Sequence, residues 1–336
     1  MMRSRSHSPS FAVGLLFLFA AQASAASFDC GKASRPHERI ICAVPDLSAA
    51  DAELAAAYQQ ASGALPEAVR ALLRTGQREW LTWLPATCSD DGKGQVFKKR
   101  SEAAECLLRG YKDRIAVLRK TPSIDSGFEI MPIQRFRVVP ADRSAGGFRP
   151  IAVHTTERPL ILGPAGPATD LLNAEAERAT GPAPGAERDS DSAIHVSLSG
   201  PHSEIATLTI STEFYGHGAA HPVNGVLFRN FRLDRPAPLA FEDVFAAPSA
   251  SKALAPLVLA DLKDQLKDDL MTDDLAEIEK MVAEVDRWSF EGSGLTVNFN
   301  VYEVAAYALG PQSVALPWKT LEPMLSPFAR SVLAGR

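Results

Sequence analysis

The sequence predicts two domains: a small disulfide-bonded all-α helical domain, then an α+β domain with an antiparallel sheet and packed helices. Three observations predict this division. All four cysteines, Cys30, Cys42, Cys88 and Cys106, lie in the first third of the chain. Residues 26–120 carry 15 basic and 12 acidic residues, a net of +3, whereas residues 121–336 carry 18 and 28, a net of −10. The apolar period is near four as far as Leu118, becomes two from Phe128, and returns to near four after Phe245. A chain of 336 residues is long enough for two domains at about 150 residues each. The expected layout is a leader over 1–25, a helical domain over 26–121 and an α+β domain over 125–330.

The leader is read from Arg3 and Arg5, the apolar run Phe11 to Ala21, and the small residues Ala23-Ser24-Ala25, which predict cleavage after Ala25. No cysteine follows that point directly, and no later run reaches the ~20 apolar residues needed to span a bilayer. The expected product is soluble, exported and periplasmic or secreted, without a membrane anchor. Loss of the two leader arginines takes the formal net charge from −5 to −7. Thiols in an oxidising compartment usually pair, and four cysteines allow three connectivities. Cys30 with Cys42 and Cys88 with Cys106 is the preferred pairing, because each closes a short loop around one local element; the sequence alone does not choose. A zinc site is not expected, since spacings of 12, 46 and 18 contain no C-x-x-C knuckle.

Four helices are predicted before residue 121. Ser34 and Pro36 open a short one that ends at Cys42. Ser48 with Asp51 resembles a capping box at the start of an alanine-rich helix carrying Leu54, Ala57, Tyr58 and Ala61. A third starts at Pro66, keeps Val69, Leu72, Leu73, Trp80, Leu81 and Leu84 on one face, and stops at Pro85. After an exposed polar loop the fourth carries Leu107, Tyr111, Ile115 and Leu118. Gln77, Arg78 and Trp80 could form a binding edge, but a tryptophan on an apolar helix face is more often core.

The order D-C, I-C-A, D-L-S-A-A-D-A-E-L, Q-R-E-W-L, a third cysteine and C-L-x-x-x-Y-x-x-R resembles the LprI-type lysozyme-inhibitor family over about residues 28–120. The matching positions are Cys30, Cys42, Cys88, Cys106, Asp51, Leu54, Gln77, Arg78, Trp80 and Arg114. Tyr111 stands where that family has a small polar residue, and Pro85-Ala86-Thr87 lacks an arginine often found before the third cysteine. The resemblance implies a helical fold and direct binding of lysozyme.

The acidic half begins after the short polar segment Pro122 to Ser126. Strands are expected over 128–139, 151–155, 195–198, 204–214 and 226–233, with a surface excursion over 163–192 that contains a helix near 168–179. Helices follow over 254–270 and 275–285, then strands over 295–299 and 313–316 and a short helix from Lys319. The segment 261–291 holds 11 acids and 4 bases. Such a run is usually a solvated face, and it also steers a basic partner rather than nucleic acid. The stretch Glu213 to Pro222, E-F-Y-G-H-G-A-A-H-P, is expected to be a turn between two strands, because Gly216, Gly218 and Pro222 disfavour a helix.

F-Y-G-H-G-A-A-H-P, N-F-R-L-D, L-x-F-E-D-V-F and G-L-T-V-N-F-N-V-Y-E-V-A-A-Y-A-L-G-P together resemble the RsiV-like domain of certain anti-sigma factors over about residues 125–330. That resemblance implies an α+β fold and lysozyme sensing by direct binding. The chain has no sigma-binding segment or deacetylase domain of the kinds joined to this module elsewhere.

A metal held by Glu213, His217 and His221 would need a folded-back turn, and neither a metal nor a cofactor is expected. No serine elbow, paired carboxylate motif or phosphate loop accompanies the histidines, so no catalytic residue is assigned and the chain is not expected to be an enzyme. The expected function is a lysozyme inhibitor acting by direct binding, with Tyr215, His217, His221, Tyr302, Glu303 and Tyr307 as candidate partner contacts. A peptidoglycan-associated binding module is the first alternative, and a zinc-dependent hydrolase a more remote one.

Overall fold

A computed structural model describes residues 26–125, 127–142, 150–181, 183–202 and 204–333. The expected leader, residues 1–25, lies outside the described residues. The helical region comprises α1 (Pro36–Ala43), α2 (Pro45–Gly63), α3 (Glu67–Thr87) and α4 (Arg100–Arg119). Disulfides join Cys30 to Cys42 and Cys88 to Cys106, with Cα atoms 5.8 and 5.7 Å apart, inside the range that bridged pairs require. Two boundaries differ from expectation. Helix α2 starts at Pro45, so Ser48 lies inside it and Asp51 is no cap. Pro85 sits in the last turn of α3, which runs on to Thr87.

A seven-stranded sheet follows, in the order β1 (Ser123–Asp125), β2 (Phe128–Pro140), β3 (Ile151–Gly163), β4 (Ser190–His202), β5 (Ile205–Gly216), β6 (Val223–Arg232) and β7 (Ala237–Pro238). Neighbours are antiparallel except β3 and β4, which run parallel. A parallel pair requires a crossover, and α5 (Pro167–Thr180) lies in that connection. The expected surface excursion is therefore integral: Leu172 and Ala176 are fully buried against Ile161, Val196 and Leu208 of the sheet. Alternation of apolar and polar residues had hidden this, because α5 exposes Asp170 and Glu177 on its other side.

The remaining chain builds a second apolar unit from α6 (Phe241–Val244), α7 (Ala250–Leu266), α8 (Leu275–Ala283), β8 (Trp288–Glu291), β9 (Gly294–Phe299), β10 (Gln312–Pro317), α9 (Trp318–Leu321) and α10 (Pro327–Val332). Strands β8 to β10 form a three-stranded antiparallel sheet in the order β10-β9-β8. Trp288, buried among Phe241, Phe245 and Val282, donates its indole N–H to Val282 O at 3.0 Å. Asn230 on β6 fastens this unit to the large sheet, donating to Val285 O and Trp288 O at 3.0 and 2.9 Å and accepting from Thr207 at 2.6 Å.

The helical region is not held by a loose tether. Met131 and Ile133 of β2 are part of its apolar core, and α3 lies so close to β2 that a Cβ at Gly76 would collide with the carbonyl oxygen of Gln134. Arg135 donates to Glu79 through Nη2 and Nε at 2.7 and 2.9 Å, and Glu79 also accepts the Phe136 amide at 3.0 Å. Among the described residues no helix is long and apolar enough to cross a membrane.

Candidate functional site

The polar residues of the helical motif point inward. Asp51 is buried and accepts hydrogen bonds from the Tyr111 hydroxyl at 3.0 Å and the Ser27 amide at 2.6 Å. Burial, with the Asp51 carboxylate beside it, pushes the Tyr111 phenol well above its ordinary value. Trp80 meets Tyr111 edge to face at 5.3 Å. Arg114, only 4 % exposed, donates to Gln77 Oε1 at 2.9 Å and to Gln134 Oε1. Burial pushes its guanidinium down to about 10. Trp80 and Gln77 are therefore interior groups, as expected for an apolar helix face.

The stretch Glu213 to Pro222 forms the end of β5 and the connection to β6, with Phe214 opposite Val223 across the pair. Gly218 takes φ 89°, a conformation that favours glycine. His217 turns inward. Its side chain is 1 % exposed, with Nε2 3.1 Å from Asp191 Oδ1, and its amide donates to Asp189 O at 2.7 Å. Asp191 also accepts the Val153 amide at 2.8 Å. His217 thus ties the turn to β3 and β4 and is enclosed. Tyr215 stands half-buried, its ring 6.3 Å from that of His217.

His221 faces the other way and meets the loop between β9 and β10. Its Nδ1 donates to Pro222 O at 2.9 Å, because a carbonyl only accepts; Nε2 is left to accept the Tyr302 hydroxyl at 3.3 Å. The imidazole stacks on Tyr307 at 3.9 Å and 21°, and the rings of Tyr302 and Tyr307 are 5.7 Å apart. Tyr302 is 52 % exposed and holds φ 68°, a strained value for a side-chain-bearing residue. Buried Val304 and Ala305 anchor the loop below it, and the Tyr302 amide donates to Ala305 O at 3.0 Å. The second aromatic stretch and the histidine turn, 81 residues apart, therefore form one surface.

Glu303 is a brace within that surface. It accepts from Arg287 at 2.5 Å and from the Asn300 amide at 2.6 Å. Asn300, which sequence reasoning passed over, donates to Val226 O at 3.2 Å and accepts the Val226 amide at 2.8 Å, imitating one strand partner along the outer edge of β6. Met271 is a second residue without a sequence signal. It is 56 % exposed, and its amide donates to Val304 O at 2.9 Å. That bond sets the exposed acids Asp268, Asp269, Asp273 and Asp274 on a loop bonded to the aromatic one. Among the described residues no group of three or more His, Cys, Asp or Glu is placed to hold a metal ion.

Residues 30–118 match the family model described as lysozyme inhibitor LprI, and residues 242–319 match that of a protein of unknown function, DUF3298. Among curated proteins none matches. Two solved structures are similar. A DUF3298 family member from Bacteroides fragilis is 18% identical with a TM-score of 0.49, the match covering 63% of this chain and 99% of that one. A DUF3298 family protein from Pseudomonas aeruginosa is 14% identical with a TM-score of 0.46, covering 60% and 96%. The chain thus joins an LprI lysozyme-inhibitor domain at residues 30–118 to a DUF3298 domain at residues 242–319.

Proposed function

We propose that this protein is an exported lysozyme inhibitor that acts by direct, non-catalytic binding. The observation that carries this reading is the match of the disulfide-bonded helical domain to the lysozyme-inhibitor family. The α+β half supports it with a surface suited to a basic protein. Tyr302 and Tyr307 present aromatic rings held in place by His221 and by the strained Tyr302 backbone. Rigid aromatic side chains are the usual anchors of protein interfaces. The acids on the neighbouring loop would raise the association rate with a basic partner. In this reading His221, Tyr302 and Tyr307 touch the partner, Tyr215 lies at the margin, and His217 and Glu303 hold the loops that present the others.

The test is the rate at which lysozyme clears a suspension of bacterial cell walls, with and without purified protein of residues 26–336. Saturable slowing at low salt that weakens as salt is raised supports the proposal. Unchanged clearing at every protein concentration, with no complex detected at low salt, refutes it.

A further inference from the structure

The seam between the helical domain and the sheet carries three adjoining depressions, of about 250, 440 and 280 Å³, and Trp83 lines all of them. The first lies towards α4, at Arg109 and Asp113. The second runs along β2 to Arg137 and reaches Pro184. The third opens over β3 to β5, at Thr155, Ser192 and Glu213. Phe136 is shared by the first two and Thr87 by the first and third. The ring of Phe136 is 5.2 Å from that of Trp83, and the Arg114 guanidinium lies 5.9 Å from the Phe136 centroid. Concave sites at domain junctions, aromatic with a few convergent polar groups, are where small ligands bind.

The walls of this groove are fixed in advance. Glu79 clamps Arg135 and the Phe136 amide on one side, and Arg114 spans Gln77 and Gln134 on the other. A preformed site spends little of its binding energy on ordering. The indole N–H of Trp83 is buried and has no acceptor in the structure. An unmet buried donor is costly, and a ligand acceptor would relieve it.

We propose that this groove binds an uncharged oligosaccharide. Both signs of charge line it, Arg109 and Arg137 against Asp113 and Glu213, which disfavours a polyanion and a basic peptide alike. What fits is a chain of rings, each with an apolar C–H face for Trp83 or Phe136 and a rim of hydroxyl and amide groups. Those groups both donate and accept, as Thr87, Thr155, Ser192 and the charged side chains require. Three depressions around one tryptophan suit several linked rings better than one. The site is separate from the His221, Tyr302 and Tyr307 surface and does not depend on lysozyme binding.

The experiment is a titration of residues 26–336 with the β-linked tetramer of N-acetylglucosamine, followed by tryptophan fluorescence and calorimetry. Saturable binding at or below about 1 mM is expected, weakened at least tenfold by Trp83→Ala and unchanged by the pair Tyr302→Ala and Tyr307→Ala. Because Trp83→Ala can unsettle the seam, the exposed pair Arg109→Ala and Asp113→Ala on α4 serves as a second variant, expected to weaken binding while keeping the melting temperature. Cosedimentation with purified sacculi that the tetramer competes away would extend the site to polymeric wall. No saturable binding by the folded protein overturns the proposal. So does binding that both folded variants retain in full.

Discussion

The helical half and the aromatic loops of the α+β half use similar residues in opposite ways. Asp51, Tyr111, Gln77 and Arg114 are polar groups sealed inside, each satisfied by a specific partner. Tyr302, Tyr307 and His221 also contact one another, yet Tyr302 is half open to solvent. Polar groups of the first kind fix a structure, because removing one leaves another buried without a partner. Groups of the second kind can be removed at little cost to folding and are available to something else. The difference teaches that a recurring motif does not announce whether it holds the fold or presents a surface; burial decides.

That contrast can be broken most severely at the disulfides. Replacing Cys88 and Cys106 by Ala should lower stability by about 2–5 kcal/mol, read from denaturant unfolding; a change below 1 kcal/mol would mean that the helical core stands without its bridge. Tyr111→Phe should lower stability by about 1–3 kcal/mol, since it removes the buried hydroxyl on Asp51. An unaltered denaturation midpoint would place Asp51 in contact with water instead. The exposed counterpart, Tyr302→Ala, should change stability by no more than about 0.5 kcal/mol. A larger loss would return the aromatic surface to a structural role.

The smallest effect sharpens the contrast within the helical half through pH. Burial pushes the His37 imidazole below its ordinary value, against the opposing pull of Glu38. The folded state therefore favours the neutral ring. Its contribution is present above about pH 6.5 and is lost as pH falls through the lower folded value. The buried-carboxylate side acts later, since Glu38 is held below its own ordinary value by the Arg35 amide first and by that of Ser34. Melting temperature should thus decline between pH 7 and pH 5, and His37→Gln should flatten that decline. An identical decline in the variant would assign it to other groups.

Much of this arrangement was legible in the chain itself. Clustering of the cysteines and a period near four gave the helical half, and alternation gave β5 and β6 with the histidine turn between them. The role of α5 was not legible, since a Pro- and Gly-rich surround reads as surface while the parallel pairing that demands a crossover is a tertiary fact. Asp51 looked like a cap from its spacing after Ser48, but Pro45 starts the helix three residues earlier and frees Asp51 to meet Tyr111. At the candidate surface, the aromatic residues could be named but not sorted. His217 and His221 are four apart on a turn, and only the position of Asp191 on β4 draws one inward while Tyr307 holds the other outside. Asn300 and Met271 act through backbone bonds, which no side-chain pattern encodes.

The central claim is that the α+β surface contributes to lysozyme binding, and the most direct measurement is calorimetric titration of a basic lysozyme into the wild-type protein and into the pair Tyr302→Ala and Tyr307→Ala at low salt. The account predicts that the variant, with its melting temperature kept, loses about 2 kcal/mol or more of binding free energy. Equal affinity of the two folded proteins would contradict it and leave binding to the helical domain alone.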